Sequence, residues 1–227
     1  MEKHKLAEDL LLFAQTGPAP LVVLPVMSEQ EAASVTGLYA ALPDAPACHL
    51  LCPVLADWEG TLSPWTVPDL REGQKPFTGG AKAFLDRLTE TFLPAAKARL
   101  AGQVRGILIA GYSMGGLFAL WAACESPLFE GAGSFSGSLW FEGWCAYAKK
   151  NHPQNARCLV LSLGDREPRS KNPRMAAVGP ATEALLADWA KIPVRFWWES
   201  GGHFAGPEER TARGIAALCR LWRETAP

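Results

Sequence analysis

Among the residues of this chain whose type and spacing suit chemistry, Ser113 stands first, within Gly111-Tyr112-Ser113-Met114-Gly115. The G-x-S-x-G spacing is that of a nucleophile elbow, a tight turn that joins a buried strand to a helix and leaves the serine hydroxyl exposed. The flanks agree, since an apolar run ends at Ala110 and a helical pattern opens at Gly116-Leu117-Phe118-Ala119-Leu120. Small residues two before and two after the serine let strand and helix approach closely. The same turn directs the backbone N–H of Met114 and the positive end of the following helix at an oxygen held beside the serine.

A serine hydroxyl is a poor nucleophile until a neighbouring base takes its proton. The chain has four histidines. His203, in Gly201-Gly202-His203-Phe204, occupies the loop between the last expected strand and the final helix. His4 lies in the N-terminal segment, His49 opens an earlier strand, and His152 sits in an Asn-His-Pro turn. The chain order that goes with such an elbow is serine, acid, histidine. Gly164-Asp165-Arg166-Glu167, after the strand preceding His203, offers two carboxylates. Glu167 is the expected partner of His203, the loop turning on Gly164 and Asp165 structuring that turn; Asp165 is the alternative, and a Ser–His dyad remains if neither acid reaches. A second oxyanion donor is expected from Ala56-Asp57-Trp58-Glu59-Gly60, with Trp58 the first choice. This set predicts acyl transfer: Ser113 attacks an acyl carbonyl, His203 moves the proton, Glu167 orients His203, and Met114 and Trp58 hold the oxyanion.

The elements that must position these groups alternate along the chain. Apolar runs at 21–24, 49–55, 106–110, 132–135, 158–163 and 194–198 read as strands, each nearly continuous, as in strands buried on both faces. Helical patterns lie between and after them at 29–42, 80–100, 114–125, 142–151, 175–191 and 208–223, the last behind Pro207, a favoured first-turn residue. The alternation predicts an α/β fold, a mostly parallel central sheet with helices on both faces, and one domain over residues 1–227. The chain ahead of the first of these strands reads as a mixed amphipathic stretch. Two long irregular loops, 56–79 and 164–174, are of the kind that usually carries function. Trp58, Trp65 and Trp140 fall near the expected catalytic edge and are candidates for an aromatic pocket, whereas Trp121, Trp189 and Trp222 read as core. Arg166, Arg169, Lys171 and Arg174 read as a solvated charge run.

Composition narrows the class further. Lys and Arg number 22 against 23 Asp and Glu, a net charge of −1, and the signs are interspersed, so nucleic acid is not an expected partner. No apolar run approaches the roughly 18 to 20 residues of a membrane-spanning helix, so no membrane partner is expected either. Met1-Glu2-Lys3-His4-Lys5, followed by Glu8 and Asp9, lacks the apolar region of a signal peptide, which makes the cytoplasm the expected compartment. Cys48, Cys52, Cys124, Cys145, Cys158 and Cys219 form no C-x-x-C pair and read as reduced core residues. The absence of H-E-x-x-H, G-x-G-x-x-G and Walker A patterns leaves neither metal nor nucleotide cofactor expected.

Taken together, the chain resembles the compact α/β-hydrolase esterases that include the enterochelin (siderophore) esterases and esterase-D-like proteins. The matching pieces are Gly111-Tyr112-Ser113-Met114-Gly115-Gly116-Leu117-Phe118-Ala119, Ser134-Phe135-Ser136-Gly137-Ser138-Leu139-Trp140, Leu163-Gly164-Asp165-Arg166-Glu167 and Gly201-Gly202-His203-Phe204. Asp57-Trp58 with Leu62-Ser63-Pro64-Trp65 looks like a subgroup of them. The resemblance implies an α/β-hydrolase fold without a large cap domain and a serine carboxylester hydrolase acting on a small-molecule ester. Siderophore or lactone esterases, thioesterases and acyltransferases use the same machinery, and a binding protein on a hydrolase fold is the non-catalytic alternative. Against the family pattern, the N-terminus reads as too short for the full early meander of strands.

Overall fold

The computed structural model describes residues 1–68 and 77–226. Eight strands build the central sheet: β1 (Glu2–Ala7), β2 (Leu10–Ala14), β3 (Ala19–Val23), β4 (His49–Pro53), β5 (Val104–Tyr112), β6 (Gly131–Phe135), β7 (Cys158–Gly164) and β8 (Val194–Glu199). Their order is β1-β2-β4-β3-β5-β6-β7-β8. β2 runs antiparallel to both β1 and β4, and the remaining neighbours are parallel, as expected of strands that alternate with helices.

The helices divide between the two faces. On one lie α1 (Glu29–Ala41) and α9 (Pro207–Glu224). On the other lie α3 (Ala81–Arg87), α4 (Leu93–Leu100), α5 (Met114–Glu125), α6 (Trp144–Lys150) and α8 (Val178–Asp188). Strand side chains feed the two cores alternately: Leu10 and Leu12 join one cluster and Leu11 and Phe13 the other, with Ile107 and Ile109 likewise opposed to Leu108 and Ala110. Trp121, Trp189 and Trp222 are buried, as their helical positions suggested. The connection between β6 and β7 holds α6 and no cap domain. Among the described residues, no helix is long and apolar enough to cross a membrane.

The six strands expected from apolar runs are present, and two more precede them. β1 and β2 form an antiparallel hairpin where a mixed amphipathic stretch was expected, so the early meander is complete after all. The reason is position in the sheet. β1 is an edge strand, and Lys3 and Lys5 on it pair with Glu29 of α1, so charge appears where a central strand would be apolar. The buried run Leu10-Leu11-Leu12-Phe13 of β2 is short enough to be lost beside it.

Two expected helices are broken. The 80–100 helix holds a π turn, Leu88–Phe92, between α3 and α4, where the Leu93 N–H bonds back to the Leu88 carbonyl. Pro94 follows directly; it offers no N–H and its ring crowds the carbonyl four residues back, so the ladder slips by one residue there. The 175–191 helix becomes α7 (Pro173–Ala176) and α8, with Pro180 in the restarted first turn and the end at Asp188. Within the 56–79 loop are the short helix α2 (Trp58–Leu62) and a two-stranded ribbon, Thr66–Val67 with Phe77–Thr78; residues 69–76 of that loop lie outside the described residues.

Candidate active site

The parallel strands β5, β7 and β8 end on one edge of the sheet, and the segments that leave them carry Ser113, Glu167 and His203. Ser113 follows β5 directly and caps α5 with φ 55° and ψ −122°, a conformation that a non-glycine residue adopts only when its surroundings enforce it. The enforcement is visible. Its N–H donates to the Phe135 carbonyl at 3.1 Å, and its own carbonyl accepts from Gly116, Leu117 and Ser138 N–H at 3.0, 3.2 and 2.9 Å. Glycine at 111 is a steric requirement, since a Cβ there would stand 2.3 Å from the Gly115 carbonyl carbon.

Ser113 Oγ lies 3.0 Å from His203 Nε2, and His203 Nδ1 lies 2.8 Å from Glu167 Oε2. A carboxylate can only accept, so Nδ1 carries the proton and Nε2 is free to accept from the serine hydroxyl. The other carboxylate oxygen, Glu167 Oε1, accepts from Ser136 Oγ at 2.7 Å and from the Gly164 N–H at 2.8 Å. Burial pushes the Glu167 carboxyl up, but hydrogen bonds from His203, Ser136 and the Gly164 N–H outweigh it and hold the pKa below the ordinary glutamate value. Asp165 does something else: its Oδ1 accepts from the Gly201 N–H at 2.8 Å and so ties the acid-bearing loop to the histidine-bearing one. The structure therefore brings Ser113, His203 and Glu167 into one hydrogen-bonded chain and keeps Asp165 out of it.

Both expected oxyanion positions border the same cleft, a cavity of about 710 Å³ beside Ser113. Met114 and Trp58 each open a helix, where backbone N–H groups have no partner within the helix. Neither N–H donates to a protein acceptor among the described residues. The Trp58 ring also covers Gly115, where an added Cβ would meet it at 3.2 Å. Trp140 lines the cleft with Trp58, as the aromatic-pocket reading expected. Trp65 is the correction: it packs on Phe141 and Tyr147, with its Nε1 donating to the Glu142 carbonyl at 2.9 Å. Arg174, expected in a solvated run, instead stacks over the Trp140 and Phe77 rings at 4.8 and 5.4 Å.

Sequence reasoning missed several contributors. Ser138, buried, places its Oγ 3.3 Å from Ser113 Oγ. Ser136, also buried, reaches Glu167 from a backbone with φ 46°. The alternate serines in 134–138 were the signal that marked this strand end. Phe204, next to His203, is 85% exposed and Met27 59%, and both line the cleft. Glu31, Glu59 and Glu208 line it too, each in the first turn of a helix, where a carboxylate complements the helix dipole. Nothing local in the sequence would have gathered residues from three separate helices.

The strand order, the mostly parallel sheet and the strained turn after β5 define an α/β-hydrolase. Residues 48–188, more than half of the chain, match the family described as "Putative esterase", and the chain belongs to that family of hydrolases. No curated protein matches it. Among solved structures it is similar to an IroE-like serine hydrolase from Shewanella oneidensis, at 18% identity and a TM-score of 0.76 over 93% of this chain and 75% of that one. The siderophore hydrolases EstA and EstB from Aspergillus nidulans are also similar, at 18% and 19% identity with TM-scores of 0.69 and 0.66. Each alignment covers 93% of this chain, with 89% of EstA and 90% of EstB. At such identities the likeness is one of fold.

Proposed function

We propose that this esterase-family protein is a serine carboxylester hydrolase that works through an acyl-enzyme on a small-molecule ester. The observation that carries the reading is the continuous chain from Ser113 Oγ through both nitrogens of His203 to Glu167, at 3.0 and 2.8 Å. As Ser113 Oγ bonds to the ester carbonyl carbon, its proton passes to His203 Nε2, and Glu167 stabilises the imidazolium that forms. The carbonyl oxygen becomes an oxyanion that accepts from the N–H groups of Met114 and Trp58. Collapse breaks the C–O bond to the alcohol, which leaves with the proton from His203. Water then repeats the sequence on the acyl-enzyme and releases the acid.

A second reading, cleavage of a siderophore-type ester, draws support from the names of the EstA and EstB neighbours and from the cleft volume of about 710 Å³, which is in the range of small-molecule sites. The deciding experiment compares wild type with Ser113→Ala on p-nitrophenyl esters of increasing acyl length and on a macrolactone trimer ester, with a fluorophosphonate probe in parallel. Turnover and labelling that both vanish in Ser113→Ala support the serine mechanism, and the preferred ester chooses between the two readings. A folded wild type that neither turns over nor labels refutes it.

A further inference from the structure

Arg210 has no place in the scheme above, yet it is the charged residue most completely enclosed beside it, 1% exposed and one turn into α9. A cation near a helix N-terminus opposes the helix dipole, and a buried guanidinium is costly unless its donors are satisfied. Both costs point to a role. Its Nη1 donates to Ser136 Oγ at 3.1 Å and reaches the Tyr112 hydroxyl at 3.4 Å, with Glu167 Oε1 at 3.6 Å. Its Nη2 donates to the Ser200 carbonyl at 2.8 Å. The Tyr112 hydroxyl in turn donates to the His203 carbonyl. One side chain thus ties the end of β5, the end of β6, the acid loop and the histidine loop, the segments that converge on the nucleophile.

We propose that Arg210 is a positioning residue: its fork sets Glu167 through Ser136 and the His203 loop through Ser200, and so holds the His203 Nδ1–H against Glu167. The catalytic consequence rests on the serine-esterase reading; the His203–Glu167 hydrogen bond does not. The test therefore begins with the downfield NMR resonance of the His203 Nδ1–H proton, assigned by its loss in His203→Asn. In Arg210→Met that resonance shifts upfield or is lost to exchange, because Glu167 and the histidine loop no longer share an anchor. Arg210→Lys keeps the charge, but its single ammonium cannot reproduce the fork, so kcat for p-nitrophenyl acetate falls about tenfold while KM holds.

An unmoved His203 Nδ1–H resonance in a folded Arg210→Met, or undiminished kcat in Arg210→Lys, overturns the proposal. If Arg210→Met lacks native near-ultraviolet circular dichroism, Ser136→Ala decides instead. It removes the hydroxyl between Arg210 and Glu167 and leaves every charge in place, so kcat falls about tenfold at constant KM, and an unchanged kcat overturns the fork. A wild type that cleaves no ester while its His203 Nδ1–H resonance moves in Arg210→Met refutes the esterase reading alone.

Discussion

Glu167→Gln is nearly isosteric, and its consequence follows from the hydrogen bonds that the carboxylate makes. At Oε1 two donors converge, Ser136 Oγ at 2.7 Å and the Gly164 N–H at 2.8 Å. The glutamine amide oxygen must occupy that position, because an NH2 group there would face two donors. The amide nitrogen is then left at the Oε2 position, 2.8 Å from His203 Nδ1, and it donates. His203 Nδ1 becomes the acceptor, the ring proton moves to Nε2, and Nε2 can no longer take the proton of Ser113. The geometry is intact and the tautomer is wrong. An acid-to-amide change of this kind in a serine triad lowers kcat by about 10,000-fold, or about 5 kcal/mol of transition-state stabilisation. Asp165→Asn keeps an acceptor for the Gly201 N–H and does not touch His203, so its kcat stays within about threefold. The assay is steady-state hydrolysis of p-nitrophenyl butyrate by both variants, with thermal melts to show that each is folded. If Asp165→Asn suffers the large loss, or Glu167→Gln retains a tenth of wild-type kcat, the hydrogen-bond argument is refuted.

Other outcomes follow from the same geometry. Because the Glu167 pKa is lowered in the fold, its contribution to stability is complete above its ordinary value of 4.5 and is lost as pH falls through the folded value. Urea melts should show wild type losing more stability than Glu167→Gln between neutral pH and about pH 3. Gly111→Ala forces a Cβ to 2.3 Å from the backbone of Gly115, so it should cost on the order of 3 kcal/mol and yield little native protein, as read by circular dichroism and soluble yield. Five of the six cysteines are buried, and burial pushes Cys124 up to about 12 and Cys158 to about 11; Cys145 is exposed. Ellman's reagent should therefore titrate one fast thiol in the native protein and six after denaturation.

The sequence by itself determined whatever depends on neighbours along the chain. Gly111, Ser113 and Gly115 specify a turn that only small flanking residues permit, and the expected helix after it, 114–125, coincides with α5. Continuous apolar runs located the six strands from β3 to β8 because a strand buried on both faces needs apolar side chains on both. The same logic overlooked β1 and β2, since the charges of an edge strand answer to solvent and to Glu29 of α1. Tertiary structure alone decided which carboxylate meets His203. Asp165 and Glu167 are both in reach of the loop, and what separates them is the position of Ser136 and Gly201, contributed by other strand ends, together with Gly164 of their own. Arg210 carries no local mark at all, for its partners Ser136, Tyr112 and Ser200 converge on it only once β5, β6 and the β8 loop stand side by side. Hydrogen bonds and burial are set by distance in space, and a linear pattern records them only where the chain itself supplies that distance.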